Sequence, residues 1–230
     1  MRLVLFDIDG TLVSTDGAGR LAVTRAFQDV TGIPNGFAGV RMAGKTDPQI
    51  IREGLEANAL PGRDGLRSRI LDRYLSLLPE ALARAERPRL LPGVEQVLDD
   101  LARQPDVVVG LLTGNIENGA RVKLEFFGIW ERFSLGAYGS DDEERKNLVP
   151  FAVDRAARRF GRRPNVRNVW LVGDTPNDIA AARAHGARVL AVASGPHPLE
   201  ELEAHAPDAA VRSLDAPEAI NCLLEASPAA

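Results

Sequence analysis

Three short apolar runs in this 230-residue chain break off into acids, hydroxyls or glycine. Asp7, Asp9 and Thr11 end the first, Thr113 ends the second, and Asp174 and Asp178 end the third. Carboxylates fed by buried strands to one edge repel one another and are costly to desolvate, so the pattern calls for a cation. The chain has one cysteine, Cys222, and three isolated histidines, His185, His197 and His205. Four carboxylates without a soft-ligand cluster point to a hard ion bound through oxygen, with Mg²⁺ first among the candidates. Beside such an ion a carboxylate can act as a nucleophile, a role open to Asp7, with Asp9 as acid and then base. Residues two apart in extended chain point the same way, so both can address one substrate. A lone Asp is commonly just a cap or turn residue. That reading suits Asp178, which precedes a helical pattern, and suits Asp7 and Asp9 poorly.

The elements that must present these residues can be read from pattern. Leu3 to Phe6, Val107 to Leu112, Val169 to Val172 and Val189 to Ala193 are continuous apolar runs, as expected of strands buried on both faces. Ala209 to Val211 reads as a short fifth strand. Helical spacing fills Gly119 to Phe127, Pro150 to Phe160, and Asn177 to His185, which stops at Gly186. Strands alternating with helices predict an α/β fold, a Rossmann-like parallel sheet covered on both faces. From about Ala18 to Arg89 the rhythm breaks: Ala22 to Val30, Pro48 to Asn58 and Leu66 to Ala85 look helical, with no buried strand among them. The organisation expected is a catalytic core of residues 1–15 and 90–226 with a helical cap, residues 16–89, inserted after the first strand.

In an open parallel sheet, ligands bind outside the carboxyl ends of the strands. The ordered set Asp7-Ile8-Asp9-Gly10-Thr11, Leu111-Leu112-Thr113-Gly114-Asn115 and Gly173-Asp174-Thr175-Pro176-Asn177-Asp178 resembles the haloacid dehalogenase superfamily, in particular its phosphoglycolate-phosphatase-like branch. The resemblance spans nearly the whole chain and places the helical insertion where that branch has its cap. It implies attack by Asp7 on phosphorus, with a metal to offset the charge of the phosphate dianion, held on the Asp7 carboxylate, the Asp9 backbone carbonyl and Asp174, and with Asp178 beside it orienting water or a basic residue. It implies that Thr113 donates to a phosphoryl oxygen, helped by the backbone N–H groups of Gly114 and Asn115, with Gly10 and Thr11 in the loop at the phosphate. The family's third motif carries a basic residue, usually Lys, before a helix. Arg145 and Lys146 both fall in that window without the Lys-Pro signature of the branch, and the position of Asn147-Leu148-Val149-Pro150 slightly favours Arg145. In the turn Gly44-Lys45-Thr46-Asp47, Asp47 reads as a helix N-cap with Pro48 first in the helix. The resemblance adds that this loop closes over the site, so that Lys45 reaches the distal part of a substrate. Ser14 to Gly19 is the segment expected to open and close access.

A net charge of −4 gives no footprint for nucleic acid, and no stretch is long and apolar enough to suggest a membrane span. The expected setting is the cytoplasm, the expected partner a small phosphorylated metabolite, and the expected state a monomer or homodimer. A sugar phosphomutase shares the same core and differs in how its cap controls access. A dehalogenase would have no use for Asp9, and a receiver domain would place its acceptor on a later strand. A non-catalytic binding protein would not need Asp9 either. Trp130 and Trp170 read as packing residues, Arg158 to Arg163 as a basic helix end, Asp141 to Glu144 as a solvated loop, and Ser227 to Ala230 as a frayed tail.

Overall fold

The computed structural model describes residues 1–60 and 65–225, so the expected tail from Ser227, and Ala226 at the end of the expected core, lie outside the described residues. Along the chain the first apolar run forms β1 (Arg2–Phe6), followed by the two-residue β2 (Val13–Ser14). Three helices come next: α1 (Ala18–Thr31), α2 (Asp47–Ala57) and α3 (Leu66–Arg84). The chain returns through β3 (Arg89–Leu90) into α4 (Val94–Ala102), β4 (Val107–Thr113), α5 (Glu117–Phe126) and β5 (Gly136–Tyr138). It finishes with α6 (Leu148–Phe160), β6 (Val169–Gly173), α7 (Pro176–His185), β7 (Arg188–Val192), α8 (Leu199–Ala204), β8 (Ala209–Val211) and α9 (Pro217–Leu224).

Six strands form one sheet in the order β5-β4-β1-β6-β7-β8, and each neighbouring pair is parallel. Side chains alternate across it as strand geometry demands. Val4 and Phe6 of β1 join one core cluster with α4, α5 and α9, whereas Leu3 and Leu5 join a second with α6, α7 and α8. All four are fully buried, which stabilises the fold by roughly 2 kcal/mol each. A strand with both faces covered must be apolar throughout, which is why β1 shows no polar alternation until Asp7. The chain leaves β1 for strands on one side of it and later returns to build the other side. The ends of β1, β4 and β6 therefore flank a topological switch point, where a crevice opens.

The helices α1 to α3 pack around a third cluster that includes Phe27, Ile51, Ile70 and Leu78, with Ile116 from the sheet side joining it. The short strands β2 and β3 pair antiparallel, so the chain leaves for these helices and comes back through adjacent strands. Among the described residues no helix is long and apolar enough to cross a membrane.

The pattern reading passes over β5, whose Gly-Ala-Tyr carries no apolar run, and over the two-residue pair β2 and β3. It also passes over α4, although Val94, Val97, Leu98 and Leu101 make one buried face, and over the short α8 and α9. One assignment is corrected by the structure: Thr46, not Asp47, caps α2, its hydroxyl accepting from the Gln49 N–H at 3.2 Å, so Asp47 is the first helical residue and Pro48 the second. The side chain of Asp47 is thereby free for another partner.

Candidate active site

Asp7 follows β1 directly, and its N–H still bonds to the Val172 carbonyl at 2.9 Å, so the parallel pairing with β6 carries it to the sheet edge. Asp174 follows β6, and Asp178 sits one turn into α7. One carboxylate oxygen from each of the three lies within 4.8 Å of the others, and all three residues are buried. Burial above all raises the pKa of Asp7 to about 6; the Arg145 guanidinium opposes this and the neighbouring carboxylates reinforce it. Burial also raises Asp174 well above its ordinary value, with Asp7 and Asp178 adding repulsion. Three carboxylates against the one guanidinium among them leave an excess of negative charge in an all-oxygen pocket. That donor set fits a hard divalent cation. Gly10, at φ +83°, makes the turn after Asp9, and a Cβ there would overlap the Asp174 carboxylate. Thr11 donates to the Asp174 Oδ1 at 3.2 Å, which orients that side chain.

Arg145 lies in a single helical turn before α6, is 6 % exposed, and pairs with Asp178 at 2.5 Å and Asp7 at 3.1 Å. Its Nε is buried with no partner among the described residues, so the guanidinium keeps one donor in reserve. Lys146 has an exposed side chain that does not line the cavity, and its carbonyl is taken by His185 at 2.6 Å. Of the two candidates for the third motif, the structure brings in Arg145 and leaves Lys146 outside. Asp178 spends one oxygen on Arg145 and the other on the N–H and hydroxyl of Thr175, at 3.1 and 2.7 Å. Thr175 is the N-cap of α7 and Asp178 the reciprocal member of its capping box. The capping role expected for Asp178 thus exists, from the third helical position, alongside its contact with Arg145.

The other side of the crevice holds a group that pattern reading missed. Lys123 of α5 is 4 % exposed and donates to the Asp9 Oδ2 and the Asn115 Oδ1, each at 2.6 Å. The Asn115 side chain also donates to the Asp9 Oδ2 at 2.8 Å and to the Thr113 Oγ1 at 2.9 Å. Burial alone would lower the Lys123 pKa, but Asp9, Tyr74 and Asp47 around it reverse the sign and raise it. A lysine in a helical pattern reads as a solvated residue. The one available signal was its position on the buried face shared with Ala120 and Leu124.

The loop before α2 closes against these strand ends. The Asp47 N–H donates to the Gly114 carbonyl at 2.8 Å, and the Asp47 Oδ2 accepts from the Ile116 N–H at 2.9 Å. A Cβ on Gly114 would overlap the Lys45 carbonyl, so the close approach requires glycine. Asn177 and Arg145 both donate to the Gly44 carbonyl, at 3.0 and 3.5 Å. The stretch from Asp141 to Glu144 is the loop expected of it, with Glu144 exposed, but two of its acids are engaged rather than solvated. Glu143 pairs with Arg52 and Arg67, its carbonyl accepts from the Thr46 hydroxyl, and Asp141 pairs with Arg155. Acidic residues in a row look solvated until basic partners arrive from distant elements.

These residues enclose a cavity of 280 Å³ whose walls include Asp7, Asp9, Thr113, Gly114 and Asn115. Lys45 lines it too, but its ammonium is paired with Glu53 at 2.5 Å. Arg20 of α1 also faces the cavity, and it alone of the lining cations has no partner among the described residues.

A parallel sheet that gathers three aspartates and an arginine at the ends of its central strands defines a class. Residues 1–186 match the model of the haloacid dehalogenase-like hydrolases, and the chain belongs to that family. Within it, the chain is 26 % identical to the phosphoglycolate phosphatase of Pseudomonas putida, over 94 % of this chain and 78 % of that one. The phosphoglycolate phosphatase of Escherichia coli is also 26 % identical, over 94 % and 90 %. A variant of CbbY from Rhodobacter sphaeroides, solved with xylulose-1,5-bisphosphate, shares the fold with a TM-score of 0.71 at 18 % identity, covering 94 % and 96 %.

Proposed function

We propose that this hydrolase is a Mg²⁺-dependent phosphatase that cleaves a small phosphomonoester through an aspartyl-phosphate on Asp7. The observation that carries this reading is the convergence of Asp7, Asp174 and Asp178 on one buried point, with Arg145 bridging two of them. Mg²⁺ would be held by the Asp7 and Asp174 carboxylates and the Asp9 carbonyl, and when bound supplies the charge that lets a carboxylate meet a phosphate dianion. Asp178, with both oxygens engaged, holds Arg145 in place.

An Asp7 oxygen attacks phosphorus in line, the bond from phosphorus to the alkoxide oxygen breaks, and the leaving oxygen takes a proton from Asp9. A water then attacks the same phosphorus and gives its proton back to Asp9. The acyl phosphate bond opens, inorganic phosphate leaves, and both aspartates are restored. Thr113 donates its hydroxyl to a phosphoryl oxygen, and the Gly114 and Asn115 backbone frames the site. Arg145 balances the equatorial oxygens. Residues 16–89 act as the cap over this chemistry, and residues 1–15 and 90–226 as the catalytic core. The free Arg20 favours a substrate with an anionic tail, as in phosphoglycolate, over a neutral sugar phosphate; the two relatives named for that substrate support the same choice.

The test is phosphate release from phosphoglycolate, sugar phosphates and nucleoside monophosphates, with Mg²⁺ and with chelator. Metal-dependent release is expected, fastest for the acid. A folded protein that releases phosphate only sparingly, yet isomerises a sugar phosphate when given a bisphosphate activator, would show a mutase instead.

A further inference from the structure

We propose that Lys123 is a positioning residue that holds the Asp9 carboxyl in its working orientation, an inference that rests on the role given to Asp9 above. The two oxygens of Asp9 have opposite surroundings. Oδ2 accepts from Lys123 at 2.6 Å and from Asn115 at 2.8 Å, whereas Oδ1 has no partner among the described residues. Asp9 lines the cavity and its side chain is 41 % exposed, against 5 % for that of Lys123. One oxygen is therefore clamped from beneath and the other is left open. With the Oδ2 lone pairs occupied by two donors, any proton that Asp9 carries is confined to Oδ1. Proton transfer to a leaving oxygen requires that kind of placement to within hydrogen-bond reach.

The clamp is itself held. Lys123 also donates to the Asn115 Oδ1 at 2.6 Å, and Asn115 is tied to Thr113, so the residue proposed for the leaving group and the one proposed for the phosphoryl oxygen share one network. Tyr74 of α3 and Asp47 of α2 face the ammonium from the helical insertion. Gly19 of α1 lies over it, and a Cβ there would sit 3.3 Å from Nζ. A buried ion pair is often replaceable by apolar residues without loss of stability. A lysine enclosed here, in contact with Asp9, is better explained by what it orients than by what it stabilises.

The experiment compares the whole enzyme with Lys123→Met and Lys123→Gln at saturating Mg²⁺, using ethyl phosphate and 4-nitrophenyl phosphate. Ethoxide needs a proton to leave and nitrophenolate does not. For Lys123→Met, kcat on ethyl phosphate is expected to fall about 100-fold. The first turnover of 4-nitrophenyl phosphate should remain within about threefold of wild type and appear as a burst of nitrophenolate before slow turnover. Lys123→Gln, which keeps a buried donor, should fall between, and it carries the comparison if the methionine variant does not fold. Equal losses in the first-turnover rate on both substrates, or no loss on ethyl phosphate, would overturn the positioning role. A wild-type enzyme that hydrolyses neither compound, nor phosphoglycolate, would instead contradict the proposed phosphatase activity.

Discussion

Arg145 and Lys146 are adjacent in the chain, yet one is enclosed by carboxylates and the other faces solvent. Replacing Arg145 by Ala removes the partner of two buried acids and, on the proposed mechanism, the charge opposite the phosphoryl oxygens, so kcat/KM should fall about 1000-fold. Lys146→Ala should stay within about twofold of wild type in the same assay. A residue-scale prediction about stability concerns Asp47, whose pKa is raised to about 6, chiefly by burial and against the attraction of Lys123. Below the ordinary carboxylate pKa it is protonated in both folded and unfolded chains and contributes nothing. Between that value and about 6 the native state binds more protons, so its presence costs stability as pH rises. Asp47→Asn, which keeps an acceptor for the Ile116 N–H, should raise urea resistance at pH 8 by about 3 kcal/mol and leave it unchanged near pH 4. A variant weaker at pH 8 would show that the attraction to Lys123 outweighs burial. The acids of the site were legible because each ends an apolar run. Lys123 and the side chain of Asn115 were not, because their roles arise from partners 114 and 106 positions away in sequence.

At the scale of elements, period and composition located β1, β4, β6, β7 and β8 together with the longer helices, since a strand buried on both faces has no other way to look. What pattern could not reach was contact between elements. The segment around Glu143 reads as polar and solvated, but α2 and α3 bring Arg52 and Arg67 to it, and Thr46 bonds its backbone. The same seam makes Gly114 indispensable, since a side chain there would drive into the Lys45 carbonyl. Gly114→Ala should therefore lower stability by about 2 kcal/mol in urea denaturation and raise KM, as the loop before α2 is pushed off the strand ends. An unchanged KM would mean that this loop does not help form the substrate site.

For the whole molecule, a parallel sheet covered on both faces and a helical insertion joined through β2 and β3 place nearly all the chemistry at one sheet edge, beneath one loop cluster. Much of this organisation followed from where the apolar runs fall; the closeness of the insertion to the strand ends did not, because it depends on side chains meeting across the seam. The central claim is that Asp7 carries phosphate during turnover, and it can be tested directly. The enzyme is mixed with a radiolabelled phosphomonoester and Mg²⁺, quenched in acid during the first turnover, and the labelled peptide is mapped. The account predicts one hydroxylamine-labile phosphate on the peptide containing Asp7, more of it in Asp9→Asn and none in Asp7→Asn. Phosphate release at the normal rate with no label on that peptide, or from Asp7→Asn, would contradict it.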